Sequence, residues 1–254
     1  MKKQSVDLSA LLSIRQFSHK TQVVNDRLYF TIDENVIGTS GNFISLSGLQ
    51  KAGKSTFISA LISSAITGRE IFNFKIKSYP DKFRVCLFDT EQSNGDFNRS
   101  IQRIEKLTGY EREGVFKFFD SYLCREDDPA TILLLIETYL KTNLDCSILI
   151  IDGILGVINS MNDEIESNKL IRQLKRWASQ YEILIVSVLH LGKKDQLSLG
   201  HIGSASDRYS QSTLIIEKTK TGTFVCSPKF LRSARDFNPI EIMYSDIQKT
   251  YIKV

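Results

Sequence analysis

Apolar positions along the chain fall into two spacings that alternate. Over residues 55–67 they sit at 57, 58, 61, 62, 65 and 66, one face of a helix, and Gly68 follows as a stop. Phe97, Ile101, Ile104 and Leu107 mark a second helix ending before Gly109. Asp128 and Pro129 supply a cap and a first-turn proline for a third helix, running to 140, and residues 163–180 carry a longer one. Between these helices lie runs that are apolar throughout, at 83–88, 147–151 and 183–189, and residues 115–122 read as another strand. Strands without polar alternation are buried on both faces, which predicts a parallel sheet covered by helices on each side. Residues 27–32 read as an earlier strand, and the stretch IGTSGNFISLSG (37–48) as one more.

The last 45 residues change character. Segments 212–218 and 223–227 flank Lys220-Thr221-Gly222, a hairpin signal, and 240–244 with 250–253 form a second such pair. The expected fold class is therefore α/β, with a mostly parallel central sheet, helices on both faces and antiparallel C-terminal strands. Residues 1–30, with weak helical spacing at Leu8, Leu11, Leu12 and Ile14, are expected to form an arm or short helix outside a single domain at 31–254.

Composition narrows the class without naming a function. The 254 residues are 42% hydrophobic and 24% charged, as in a soluble globular protein. No apolar run approaches the roughly 18 residues that cross a bilayer. The start, MKKQSVDLSALLSIRQ, has only a short apolar patch between Asp7 and Arg15 and no small-residue cleavage site, which argues against a signal peptide. Cys86, Cys124, Cys146 and Cys226 are far apart, without a CxxC or a nearby His, so buried thiols in a reduced, cytoplasmic protein are expected. Net charge is +4, yet residues 190–235 hold eight Lys and Arg against three acids. That local excess suits a phosphate-facing surface or a solvated hairpin edge equally.

The chemistry begins at GLQKAGKST. Gly48-Leu49-Gln50-Lys51-Ala52-Gly53-Lys54-Ser55 fits G-x-x-x-x-G-K-[ST], with a strand before and a helix after. Its glycines let backbone N–H groups wrap a phosphate at the helix N-terminus, which Thr56 continues. Lys54 would reach the β- and γ-phosphates of ATP, and the Ser55 hydroxyl would ligate Mg²⁺. Asp152 closes the strand 147–151, where a carboxylate orders the metal's water shell. Glu91, in FDTEQS, ends the strand that follows the loop's helix; it is placed to hold an attacking water, or else belongs to a helix-capping cluster with Asp89, Thr90 and Ser93. His190 ends another core strand before a loop with Gly192, Gly200, Gly203 and two lysines, which suits a γ-phosphate sensor. Arg232 and Arg235, in KFLRSARDF, either pair with Asp236 or Glu241 or project to a neighbouring subunit's nucleotide.

In this order the loop, the glutamate, the strand-end aspartate and the histidine resemble the RecA-like P-loop ATPases. The chain looks more narrowly like the RepA-type hexameric helicase group and the compact AAA-family ATPases of bacterial mobile elements, from about Asp33 onward. The resemblance implies Glu91 as general base, Asp152 as the Walker B acid, His190 as γ-phosphate sensor, and Arg232 and Arg235 as fingers acting in trans. It also implies a homo-oligomeric ring with ATP between subunits and single-stranded DNA in the channel. Lys193, Lys194 and Arg208 are the candidate DNA-backbone contacts, since the channel loops are not rich in aromatic residues. The leading reading is ATP hydrolysis coupled to single-stranded DNA translocation, as in a replicative or mobilisation helicase. The alternative is a regulatory or scaffold ATPase whose nucleotide state controls partner binding. A small-molecule kinase ranks last, because Glu91 would be idle and no Arg-rich lid is visible.

Overall fold

The computed structural model describes residues 8–18, 26–192 and 200–254. A short helix, α1 (Leu8–Arg15), precedes three strands, β1 (Leu28–Ile32), β2 (Asn35–Thr39) and β3 (Phe43–Gly48). β3 leads through the glycine loop into α2 (Lys54–Thr67), followed by β4 (Phe74–Ile76), β5 (Arg84–Asp89) and α3 (Asn94–Thr108). A single turn, α4 (Arg112–Val115), then β6 (Phe119–Leu123), α5 (Pro129–Thr142) and β7 (Cys146–Asp152) continue the alternation. After α6 (Glu164–Tyr181), β8 (Leu184–His190) and α7 (Gly200–Tyr209) come β9 (Ser212–Lys218), β10 (Phe224–Leu231), β11 (Ile240–Ser245) and β12 (Thr250–Lys253).

The main sheet has nine strands in the order β12-β11-β10-β9-β3-β8-β7-β5-β6. From β9 to β6 every neighbouring pair is parallel, and β10, β11 and β12 add on antiparallel. Period-two alternation explains why these strands read as solid apolar runs. In β7, Ile148 and Ile150 join the core under α2 and α3, together with Phe57, Leu61, Ile101 and Ile104. Leu149 and Ile151 point the other way, into the core with Ile132 and Ile136 of α5 and Leu170, Leu174 and Trp177 of α6. Asp128 caps α5 by accepting from the N–H groups of Ala130 and Thr131 at 3.0 and 3.1 Å, worth about 1 kcal/mol. All four cysteines are free and buried, as expected, and burial pushes the Cys146 thiol up to about 12.

Three local expectations differ from the structure, and one strand, β4, was not expected. The run 37–48 is two strands: Ser40 and a left-handed Gly41 (φ 75°) turn the chain between them, and β2 joins a separate three-stranded sheet, β2-β1-β4. Apolar spacing cannot reveal a change of sheet. The run 115–122 starts as the end of α4, where Val115 is buried for packing, and only 119–123 pair with β5. β4 is too short to show a pattern, with Phe74 and Ile76 inward and Lys75 out. The glycine-rich stretch after His190 is not all loop, because α7 packs Ile202 and Ala205 into the core beside α6.

Candidate active site

Parallel strands finish at one edge of the sheet, and their order decides which ends meet. Gly48 of β3 pairs with His190 of β8, and Asp89 of β5 with Asp152 of β7. The loop, the histidine, the aspartate and the glutamate thus converge although far apart in sequence, at the edge where open α/β sheets bind ligands.

The loop from Gly48 through Thr56 is shaped by close packing. Lys51 and Gly53 take left-handed φ values of 64° and 97°. A Cβ on Gly53 would lie 2.6 Å from the Phe224 ring, and one on Gly48 would strike the Ile216 carbonyl of β9. Gln50 and Lys51 are exposed while Ala52, Lys54 and Thr56 are buried. Leu49, Gln50, Lys51, Leu155, His190 and Gly192 line an open cavity of about 730 Å³ beside the loop.

Lys54 opens α2 and points back across the loop. Its ammonium donates to the carbonyls of Gly48 and Leu49, both at 2.9 Å, and meets His190 Nδ1 at 3.1 Å. Burial lowers its pKa, opposed by Asp152 and Glu91. His190 Nε2 faces both carboxylate oxygens of Glu91 at 2.9 Å. With Lys54 donating to Nδ1, the ring's own proton sits on Nε2 and is donated to Glu91. That hydrogen bond holds the Glu91 carboxyl below its usual range, against the opposing pull of burial.

Capping does not consume Glu91. Ser93 caps α3 by accepting from Asp96 N–H at 3.2 Å, and Asp89 accepts from the N–H groups of Glu91 and Gln92 at 3.0 and 2.8 Å. The cluster that offered an alternative role therefore fixes the turn that presents Glu91. Sequence reasoning missed the support around it. Thr90 Oγ1 donates to Gly153 O at 2.9 Å and accepts from Gly153 N–H at 3.1 Å, stitching the ends of β5 and β7 together. A Cβ at Gly153 would fall on Glu91 Oε1, and one at Gly156 on Thr90. The only signal was the pair of glycines in IIDGILG, just after the strand-end acid.

Asp152 is buried, and no hydrogen bond reaches its carboxyl oxygens among the described residues. Burial first, then Asp89 and Glu91, push it up to about 8, with Lys54 pulling the other way. A buried acid without a donor, near Lys54, which precedes Ser55 on α2, fits the outer shell of a Mg²⁺ that Ser55 would ligate directly. Such an ion would neutralise phosphate charge and favour the ionised acid. Since the folded protein holds the neutral form, Asp152 supports stability at low pH and loses that support as pH rises through about 8. Between about pH 5 and pH 8, with a chelator present, the wild-type Tm should fall more than that of Asp152→Asn. Equal falls in thermal scans of the two proteins would refute the buried neutral acid.

The other candidates lie elsewhere. Phe224 packs on Gly53, but Arg232 follows eight residues along the same strand direction, roughly 25 Å away at strand rise, so it cannot reach its own loop. Arg232 donates from its backbone to Gln211 O at 3.1 Å and from its guanidinium to Arg208 O. Arg235 is exposed and pairs with neither Asp236 nor Glu241. Lys193 and Lys194 lie outside the described residues. Arg208 sits near the end of α7, about 12 Å along the helix from Gly200.

A family profile described as "AAA domain" matches residues 33–196, more than half of the chain. The chain belongs to this AAA domain family. No curated protein matches it. Among solved structures, the crystal structure of the RadB recombinase is similar over 85% of this chain and 91% of that one, with a TM-score of 0.60 and 15% identity. At that identity the likeness is one of fold. This AAA domain is a P-loop ATPase of RecA-like fold, and the matched span takes in the loop, Glu91, Asp152 and His190. It stops short of α7, which carries Arg208, and of the segment between β10 and β11 that holds Arg232 and Arg235. No helix among the described residues is long and apolar enough to cross a membrane.

Proposed function

We propose that this AAA domain, spanning residues 31–254 with 1–30 as an arm, hydrolyses ATP with Mg²⁺ and couples hydrolysis to single-stranded DNA, as a translocase or helicase of the RepA-type group. The observation that carries this reading is the contiguous series Lys54, His190, Glu91. A kinase has no use for a carboxylate held ready for water, whereas a hydrolase needs one. In this reading the loop from Gly48 to Thr56 cradles the phosphates and Lys54 turns from the carbonyls of Gly48 and Leu49 to the β- and γ-phosphate oxygens. Ser55 and Asp152 hold the metal and its water, and Glu91 takes the proton of the attacking water. His190 touches both Lys54 and Glu91, so a phosphate that draws Lys54 away is felt at the base. Arg232 and Arg235 serve a neighbouring subunit's nucleotide in a homo-oligomeric ring, consistent with the distance of Arg232 from its own loop. Lys193, Lys194 and Arg208 contact the DNA backbone.

ATP turnover measured with and without single-stranded DNA at low salt tests the coupling. Stimulation by several-fold, with strand displacement on a forked duplex, is the expected result. Turnover without any response to DNA overturns the translocase and leaves the regulatory or scaffold ATPase. A recombinase role, suggested by the fold shared with RadB recombinase, predicts DNA-stimulated turnover and strand pairing without displacement.

A further inference from the structure

At the end of the sheet opposite the nucleotide loop, charge and aromatic rings gather without an assigned role. Arg172, Lys175 and Arg176 stand exposed on one face of α6, spaced three and four residues apart. Arg208 and Tyr209 end α7, which packs alongside α6. Lys175 Nζ lies 5.5 Å and Arg208 Cζ 5.9 Å from the centre of the Tyr209 ring, which is 43% exposed. Phe230 is 52% exposed beside Lys229, whose ammonium meets Asp207 of α7 at 2.7 Å. The nearby acid is thus already engaged. Arg172, Lys175, Arg176 and Arg208 make no ion pair among the described residues. The end of this face is tied to the start of the central strand by Gln211 N–H donating to Phe43 O, and β3 runs from there to Gly48, about 16 Å away.

We propose that this face of α6 and α7 binds single-stranded nucleic acid, with Arg172, Lys175, Arg176 and Arg208 on the phosphates and a base stacked on Tyr209. Uncompensated cations attract any polyanion, but an exposed ring over which Lys175 and Arg208 lie favours an unpaired strand. The cations turn out to its phosphates and leave the ring to a base, whose face is free only when unpaired. Duplex DNA offers only its backbone here. The inference rests on the single-stranded DNA reading above and deepens it by adding a face at the far end of α7, where Arg208 joins the α6 cations.

The test is fluorescence anisotropy with an oligodeoxythymidylate of about 20 nucleotides, titrated at several salt concentrations. Lys175→Ala with Arg176→Ala should weaken binding about tenfold and flatten the salt slope by about 1.4, the release expected for two single-strand phosphates. Tyr209→Ala should weaken the oligonucleotide about tenfold, Tyr209→Phe should not, and a duplex of the same length should ignore both. Near-wild-type Tm confirms that each variant is folded; if the double variant is not, the Tyr209 pair decides. Unchanged affinity in all variants, with wild-type binding intact, overturns this face while the DNA-coupled reading stands. No binding by the wild type overturns both. Loss of assembly mass with unchanged affinity per subunit makes the face a contact between copies and overturns the proposal.

Discussion

Glu91→Gln is expected to lower ATP turnover by about 10²–10⁴-fold, the range of a lost general base, while nucleotide affinity stays near wild type. The substitution keeps the shape and leaves an amide oxygen able to accept from His190 Nε2, now 2.9 Å from both carboxylate oxygens. Asp89 receives the N–H groups of residues 91 and 92, so the turn itself does not depend on the charge. What disappears is an anion that the histidine bond favours over the protonated acid. Single-turnover hydrolysis and binding of a fluorescent ATP analogue separate the two effects. Wild-type turnover in this variant removes Glu91 from the chemistry and with it the main ground for a hydrolase.

Gly153→Ala carries the second large effect, about 10²-fold in turnover, through position alone. The added methyl would land on Glu91 Oε1, and Thr90, which grips both the N–H and the C=O of Gly153, blocks the backbone from moving aside. Glu91 must then swing from His190, and a displacement near 1 Å is enough to cost about 10²-fold where a water must be aligned. Lys54 and the loop do not touch Gly153, so nucleotide affinity should hold. A fall in affinity equal to the fall in turnover would place Gly153 in binding instead, and no change in either would show that the turn accommodates the methyl.

The two variants differ in how far the sequence foretells them. Glu91 was legible as a candidate because a carboxylate at the end of an apolar strand is conspicuous within six residues of sequence. Gly153 was not, because its constraint is a side chain from another strand, 62 positions earlier in the chain. The same logic applies to Arg208. A charge count along the chain pooled Arg208 with the other cations of residues 190–235, whereas α7 sets it, across Tyr209, beside Lys175 of α6. IGTSGNFISLSG shows the same limit in the backbone, since its two halves pair in different sheets.

Sequence alone determined the helices with one apolar face, the doubly buried parallel strands and the phosphate loop, because each depends on residues within a few positions of one another. Local spacing sets which way a side chain points, and the loop's work is done by consecutive backbone amides and one lysine. Only the tertiary structure decided that Lys54, His190 and Glu91 form one hydrogen-bonded series, with Asp152 buried and undonated beside it. That outcome depends on strand order, β3 beside β8 beside β7 beside β5, which arises from packing over the whole chain and leaves no mark on any short stretch of it.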